Sequence, residues 1–207
     1  MSDQPNISSL SFTHGQVVQT IEAMHIAEWL DRPALDSILK KLRRDFVPFS
    51  AEELAKPQWE QVRYGFVHLV ECIVAIKMMA DGMSHRHIVA LLTFDRKRLR
   101  DAYLRAFSES QSGLGAPIPI KHPDGREITI SGLYLDFMAT INKLGVLSSS
   151  GPRLLDPWQA VNRYMGAYMG LHPLPPIRLS DLATEAVRIA VLMPELKRGR
   201  RPGNSEN

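Results

Sequence analysis

The sequence lacks most of the features from which a function is easily inferred. Its 207 residues contain one cysteine, Cys72, which excludes an internal disulfide and a zinc site built from several thiolates. No stretch reaches the roughly 18 apolar residues that are needed to span a bilayer. The most apolar run, residues 66–80, is shorter and contains His68, Glu71 and Lys77. We therefore expect no association with a membrane.

The motifs of common enzymes are missing as well. The sequence contains no glycine-rich phosphate loop, no His-Glu-x-x-His pair and no Gly-x-Ser-x-Gly turn. His85 and His87 are two residues apart, so a helix would point their rings to different sides. Cys72 lies in an apolar segment, where a thiol is buried and unreactive. We predict that the chain is not an enzyme and that it binds neither a metal ion nor a cofactor.

The N-terminal residues show neither the basic cluster nor the apolar core of a secretory signal. Together with the single cysteine, this favours a reducing compartment. We expect a cytoplasmic protein in which residues 1–11, which are mostly polar, are disordered.

Charge is distributed evenly except near the C-terminus. Residues 1–113 contain 14 basic and 14 acidic side chains, and residues 114–196 contain seven of each. Residues 197–207 form a basic tail with four basic residues and one acidic residue, which accounts for the formal net charge of +3. Binding to nucleic acid would therefore depend on local clusters of cations and on this tail, not on the field of the whole chain.

The spacing of apolar residues predicts a mainly α-helical chain. Proline and glycine separate the expected helices, because proline lacks an amide hydrogen and glycine accepts the conformation that ends a helix. Before residue 112 we expect one helix from Thr13 towards Leu30, one that begins at Pro33, one over residues 64–80, one that Ser84 caps and one that begins near Asp95.

Beyond a linker at residues 113–119 the pattern changes. Isoleucines at 118, 120, 128 and 130 flank the turn sequence His-Pro-Asp-Gly, which predicts a short β-hairpin. We expect two domains, over residues 12–112 and 113–196, and the second is a small α domain with this hairpin. Its remaining elements are predicted as a helix over Leu133–Lys143, a loop at Ser148–Pro152, a helix from Asp156 and a last helix that Ser180 caps.

Four places before residue 112 carry a resemblance to a known family. The run FTHGQVV, residues 12–18, resembles the start of that family's first helix, and Arg63-Tyr64 stands where its wing ends. The run HLVECIVAIKMMADGMSHRHIVALL, residues 68–92, resembles its paired third and fourth helices, and the helix from Asp95 takes the place of its dimerisation helix. These segments resemble the winged-helix DNA-binding domain of the MerR family, over a little under half of the chain.

The resemblance implies an N-terminal winged helix-turn-helix domain and a dimeric transcription regulator whose partner is double-stranded DNA. The positions that we expect to contact DNA are Thr13, His14, Lys40, Lys41, Arg43, Arg44, Arg63 and Tyr64. The sequence KKLRR at residues 40–44 is the better recognition segment by charge, and Met24–Leu30 is the better one by position. As an alternative, KKLRR is a solvated helix end, and Arg63 and Tyr64 form an ion pair with Glu60 and a packed ring.

One apolar stripe of the helix from Asp95 is the expected dimerisation surface. It consists of Leu99, Tyr103, Ala106 and Phe107. The alternative is that this stripe packs against the C-terminal half of the same chain.

Aromatic and methionine side chains are frequent in the C-terminal half. They are Tyr134, Phe137, Met138, Trp158, Tyr164, Met165, Tyr168 and Met169. They form either a helical core or a site for a small apolar ligand or a protein partner. The second hypothesis for the whole chain is a protein-interaction adaptor that keeps a winged-helix-like fold without reading DNA.

Overall fold

The computed structural model describes residues 7–55, 62–111, 118–121, 127–137, 139–141, 147–149, 151–168 and 176–195. Within these ranges the chain is mainly helical, as the sequence predicts, with eight α-helices and seven short strands. The helices are α1 (His14–Ala23), α2 (Arg32–Arg44), α3 (Ala51–Leu54), α4 (Phe66–Ala80), α5 (His85–Phe94), α6 (Arg96–Gln111), α7 (Pro157–Tyr168) and α8 (Leu179–Ala190). The strands are β1 (Ile118–Lys121), β2 (Glu127–Ile130), β3 (Tyr134–Asp136), β4 (Ala139–Ile141), β5 (Leu147–Ser149), β6 (Arg153–Leu155) and β7 (Ile177–Arg178).

Side-chain caps fix the starts of the first helices. The Thr13 hydroxyl accepts a hydrogen bond from the Gln16 amide, and the Gln16 side chain accepts one from the Thr13 amide at 2.9 Å. Asp31 accepts from the Ala34 amide at 2.8 Å, which starts α2. The prediction that the first helix continues towards Leu30 is wrong: α1 ends at Ala23, and the chain turns at His25, whose φ is +55°.

The strands pair only with antiparallel neighbours. β1 and β2 form the predicted hairpin, in which Ile118 lies opposite Ile130. β3 is the central strand of a three-stranded sheet between β6 and β7, and β4 pairs with β5.

The predicted helix over Leu133–Lys143 is wrong, because this segment contains β3 and β4. Its apolar residues Leu133, Tyr134, Leu135 and Phe137 are all buried, and a short continuous apolar run is consistent with a buried strand as well as with a buried helix. The predicted loop at Ser148–Pro152 also begins inside β5. Short apolar segments fit either pattern, and here the pairing of β3 with two other strands decides the outcome.

Ser180 does not cap the last helix in the way that we predict from the sequence. The residue before α8 is Arg178, whose side chain makes no capping hydrogen bond. The Ser180 hydroxyl instead accepts a hydrogen bond from the Leu133 amide at 2.9 Å and joins the start of α8 to the start of β3.

One hydrophobic core includes residues from both predicted domains. α4 contributes most to it, with ten of its 15 residues buried. α8 packs across α1, α4 and α6, and its buried face belongs to the same core. The boundary near residue 113 therefore does not separate two cores. Ile7 and Leu10 also pack against this core, so the expected disorder does not extend to residues 7–11.

The predicted dimerisation stripe is covered inside the chain. Leu99, Tyr103 and Ala106 are fully buried, and Phe107 packs edge-on against Phe66 with ring centres 5.2 Å apart. α8 lies against this helix. The expectation of a dimer through this stripe is wrong, because an apolar surface that is already buried has no free area to offer a second copy.

The aromatic residues of the C-terminal half whose side chains the structure describes are divided between the core and the surface. Tyr134 and Phe137 are buried, whereas Trp158 is 60% exposed. Met138 and Met169 lie outside the described residues, as do the side chains of Tyr164, Met165 and Tyr168.

Replacing Leu99 by alanine should destabilise the monomer strongly. Leu99 is fully buried, and truncation of such a leucine removes about 2–5 kcal/mol from the free energy of unfolding. Leu104 on the same helix is 41% exposed and provides the matched control, for which Leu104→Ala should cost less than about 1 kcal/mol. Urea denaturation at two protein concentrations measures both losses, and equal losses in the two variants would contradict the assigned packing.

Candidate nucleic-acid interface

α2 presents a cationic face to solvent. Its buried residues Leu35, Leu39 and Leu42 follow one side of the helix and hold it against the core. The exposed residues of α2 are Arg32, Pro33, Ser37, Lys40, Lys41 and Arg44. Four of these are cations and none is a carboxylate. We call these six residues the α2 face.

The cations of the α2 face differ in their partners. Lys40 contacts Asp36, one turn earlier, with its Nζ 2.5 Å from the carboxylate. Arg32 lies 3.8 Å from Glu22. Among the residues that the structure describes, no carboxylate lies within ion-pair distance of Lys41 or Arg44. Because these two side chains are exposed and unpaired there, they are the ones that can contact an anion without breaking an internal contact.

A series of hydrogen bonds links α2 to α1 and to Tyr64, two residues before α4. The His14 ring lies between two partners, with Nε2 2.7 Å from Asp36 Oδ1 and Nδ1 3.0 Å from the Tyr64 hydroxyl. Partial burial raises the pKa of Asp36, but hydrogen bonds from Lys40 and His14 outweigh this effect and hold that pKa below its usual value. Asp36 therefore stays ionised and keeps both partners.

Several residues that we predict to contact DNA instead make contacts within the protein. Tyr64 is 1% exposed, and burial raises the pKa of its hydroxyl. Thr13 is also buried and caps α1. The His14 ring is held by its contacts with Asp36 and Tyr64. Arg43 lies beside the Tyr64 hydroxyl. The expectation that Thr13 and Tyr64 contact phosphate is wrong, because neither side chain is accessible to a macromolecule.

Arg63 is already paired with a carboxylate. Its guanidinium lies 2.6 Å from Glu195, a residue that follows α8. The alternative partner that we consider from the sequence, Glu60, lies outside the described residues. The structure thus brings Lys40, Lys41 and Arg44 together on α2 and assigns Arg63 to a contact with a distant part of the chain.

The segment between α2 and α4 takes part in a charge cluster that the sequence does not reveal. Glu53 on α3 accepts two hydrogen bonds from Arg100 on α6, at 3.0 and 2.8 Å, and lies 3.1 Å from the His68 ring. Arg100 also donates to the Pro48 carbonyl at 3.2 Å. The segment between α2 and α4, which ends where the resemblance places the end of the wing, thus contains α3 and a turn that Arg100 on α6 contacts.

A second carboxylate lies deeper in the same cluster. Glu71 on α4 is fully buried, 3.5 Å from Arg96, which also donates to the Phe46 carbonyl. Burial raises the pKa of Glu71, and the two neighbouring guanidinium groups, of Arg96 and Arg100, act in the opposite direction. These arginines belong to the basic run of α6, and the acidic residues that bind them lie 25–47 positions earlier. The roles of Arg96 and Arg100 therefore depend on distant residues and cannot be predicted from the basic run of α6 alone.

The described residues show neither of two other kinds of site. No group of three or more histidine, cysteine or carboxylate side chains that could hold a metal ion occurs among them. None of their helices combines the length and apolar character that crossing a bilayer requires. The basic tail at 197–207 lies outside the described residues.

Comparisons with protein-family profiles, with curated proteins and with solved structures found no match to this chain.

Replacing Glu53 by glutamine should make stability less dependent on pH. Partial burial raises the pKa of Glu53, but hydrogen bonds from Arg100, Ser50 and His68 lower it to about 2, against an ordinary value of 4.5. Because the folded-state pKa is depressed, the stabilisation is present above pH 4.5 and is lost as pH falls from 4.5 towards 2. At pH 7 we expect Glu53→Gln to lower the free energy of unfolding by about 2–3 kcal/mol.

The matched control is Glu185→Gln. Glu185 also pairs with an arginine, Arg188 on α8, but both side chains are exposed, so its loss should cost less than about 0.5 kcal/mol. Urea denaturation between pH 3 and pH 7 measures both variants. A deficit of Glu53→Gln that stays constant over this range would contradict the assigned ionisation.

Proposed function

We propose that this chain is a cytoplasmic DNA-binding transcription regulator that resembles the MerR family and contacts duplex DNA through the α2 face. The observation that carries the proposal is that four of the six exposed residues of α2 are cations and none is a carboxylate. An α-helix fits the major groove, and cations that neutralise phosphates supply most of the non-specific affinity for DNA.

The contacts that hold α2 in place favour its proposed role in reading the major groove. A helix that reads a groove must keep its angle to the rest of the domain. Leu35, Leu39 and Leu42 pack into the core, and the contacts of His14 with Asp36 and Tyr64 tie α2 to two other elements. Of the two recognition segments that we consider from the sequence, this support favours residues 40–44. Met24–Leu30 lies in the turn between α1 and α2, outside any helix.

The backbone around Phe12 and Tyr64 also supports the resemblance. These residues form an antiparallel bridge with two N–O distances of 2.8 Å, between the segment before α1 and the segment before α4. In a MerR-like domain the wing ends at the position of Arg63-Tyr64, so the bridge would join the end of the wing to the start of the first helix.

The proposal includes a homodimer, because two tethered copies that read a palindrome gain affinity through effective concentration. Since the stripe of α6 is buried in the monomer, the copies would have to meet through another surface.

A protein-interaction adaptor is the second candidate. It is favoured by the carboxylate partners of Lys40 and Arg63, which reduce the number of cations available to phosphate. The two candidates differ in whether the protein binds duplex DNA at low salt.

The decisive measurement is the salt dependence of binding to random duplex DNA. For the regulator, the affinity should fall with salt by about 0.9 log units per log unit for each phosphate contacted. Lys41→Ala combined with Arg44→Ala should lower this slope by about two and weaken binding at least tenfold at moderate salt. Fluorescence anisotropy with a labelled duplex measures both quantities.

The matched control is Lys77→Ala combined with Arg188→Ala. It removes the same net charge from α4 and α8. Lys77 pairs with Asp81 at the end of α4, and Arg188 pairs with Glu185 on α8. It should leave the slope unchanged. Equal effects of the two double variants would refute a role for the α2 face, and no binding by the natural chain at low salt would favour the adaptor.

Asp36→Asn should strengthen duplex binding. The substitution removes the carboxylate that holds Lys40, so one more cation of the α2 face becomes available to phosphate. We expect an affinity several-fold higher and a salt slope steeper by about one, at a cost of about 1 kcal/mol in stability from the weakened contact with His14.

Asp81→Asn is the control for this substitution. It releases Lys77 on α4 from the same i, i+4 arrangement, where the Nζ lies 2.8 Å from Asp81, and it should not affect DNA binding. The interpretation fails if both asparagine variants raise the affinity equally, or if Asp36→Asn weakens binding while the helix content of the protein is unchanged.

A further inference from the structure

A cleft separates α6 from the segment that contains β6 and the start of α7. Its volume is about 450 Å³, which lies within the range of small-molecule sites. One wall is a stripe of α6 and the other comes from residues 152–154 and α7. The lining residues are Arg98, Asp101, Ala102, Arg105, Pro152, Arg153, Leu154 and Gln159.

Cations dominate this lining. Three of the eight residues are arginines and one, Asp101, is an acid. Arg105 is already paired with Glu109, with its Nε 2.5 Å from the carboxylate. Within the described part of the chain, no ion pair occupies the guanidinium of Arg98 or Arg153. These two arginines, which come from opposite walls, therefore supply the charge that is available to a ligand.

The turn before β6 brings the two walls together. Gly151 has a φ of +94°, a conformation that favours glycine, and it directs the chain into Pro152 and Arg153. A Cβ at Gly151 would lie 3.9 Å from Nη1 of Arg98, so the backbone of this turn passes close to that guanidinium. Asp95, which caps the first turn of α6 by accepting from the Arg98 amide at 3.2 Å, lies on the same side of the turn.

We propose that this cleft binds a small organic anion that carries a phosphate or carboxylate group, held between the guanidinium groups of Arg98 and Arg153. Guanidinium forms paired hydrogen bonds with both kinds of oxyanion. The Gln159 amide and the apolar atoms of Ala102 and Leu154 would contact the rest of the ligand. The cleft differs from the α2 face in its residues, so the proposal does not depend on DNA binding.

The composition of the cleft also differs from the apolar ligand site that we consider from the sequence. Apolar atoms line part of it, but the guanidinium groups of Arg98 and Arg153 would lose hydration against an apolar ligand without gaining a partner. An anion compensates the guanidinium groups for their lost hydration, so the cleft favours an anion over an apolar ligand.

Isothermal titration calorimetry with the full chain at low salt tests the proposal, with inorganic pyrophosphate and citrate as probes in separate titrations. We expect saturable binding of at least one of them. Arg98→Gln combined with Arg153→Gln should raise its dissociation constant at least tenfold, and Arg98→Lys, which keeps the charge but loses the paired geometry, should raise it several-fold. Preference for pyrophosphate identifies a phosphate site, and preference for citrate identifies a carboxylate site.

Arg188→Gln removes an equally charged but fully surface-exposed arginine of α8 and should change the dissociation constant less than twofold. Circular dichroism checks that all variants are folded, which we expect because Arg98 and Arg153 are exposed. The proposal is overturned if neither probe binds, or if the double variant binds as tightly as the natural chain. It is also overturned if Arg188→Gln weakens binding as much as the double variant does.

Discussion

The packing of α8 across α1, α4 and α6 is the contact on which the rest of the structure depends. It buries the apolar stripe of α6 and packs against α4. It also brings the chain after residue 176 onto helices formed from the first half of the sequence. Two polar contacts follow from it, because Gln16 donates to the Met193 carbonyl at 2.9 Å and Arg63 pairs with Glu195. Without α8, the apolar surfaces that it covers on α1, α4 and α6 would be exposed, and Arg63 would lose its partner if Glu195 were not held nearby.

Basic residues that look equivalent in the sequence have different roles in the fold. On α6, Arg96 and Arg100 point into the buried charge cluster with Glu71 and Glu53, whereas Arg98 lines an open cleft. Desolvated arginines need carboxylate partners, since a buried charge without one is costly.

The sequence predicts local features better than contacts between distant residues. The caps at Thr13 and Ser84, the hairpin at residues 118–130 and the apolar helix α4 all follow from short patterns, and the structure contains each of them. The sequence predicts a helix over Leu133–Lys143, where the structure has β3 and β4, because a short apolar run fits both a strand and a helix when its pairing partners are unknown. The pairs Arg63–Glu195 and Arg100–Glu53 join residues far apart in sequence, and no periodicity encodes such pairs.

The long separation between α1 and α8 has a consequence for how the protein folds as it is made. Gln16 and the Met193 carbonyl are 177 positions apart, so their contact forms only after all of the intervening chain has left the ribosome. Until then the apolar faces of α1, α4 and α6 lack their cover, and contacts of such long range slow folding. The nascent chain therefore passes through a stage in which its main core is open to chaperones and to association with other unfinished chains.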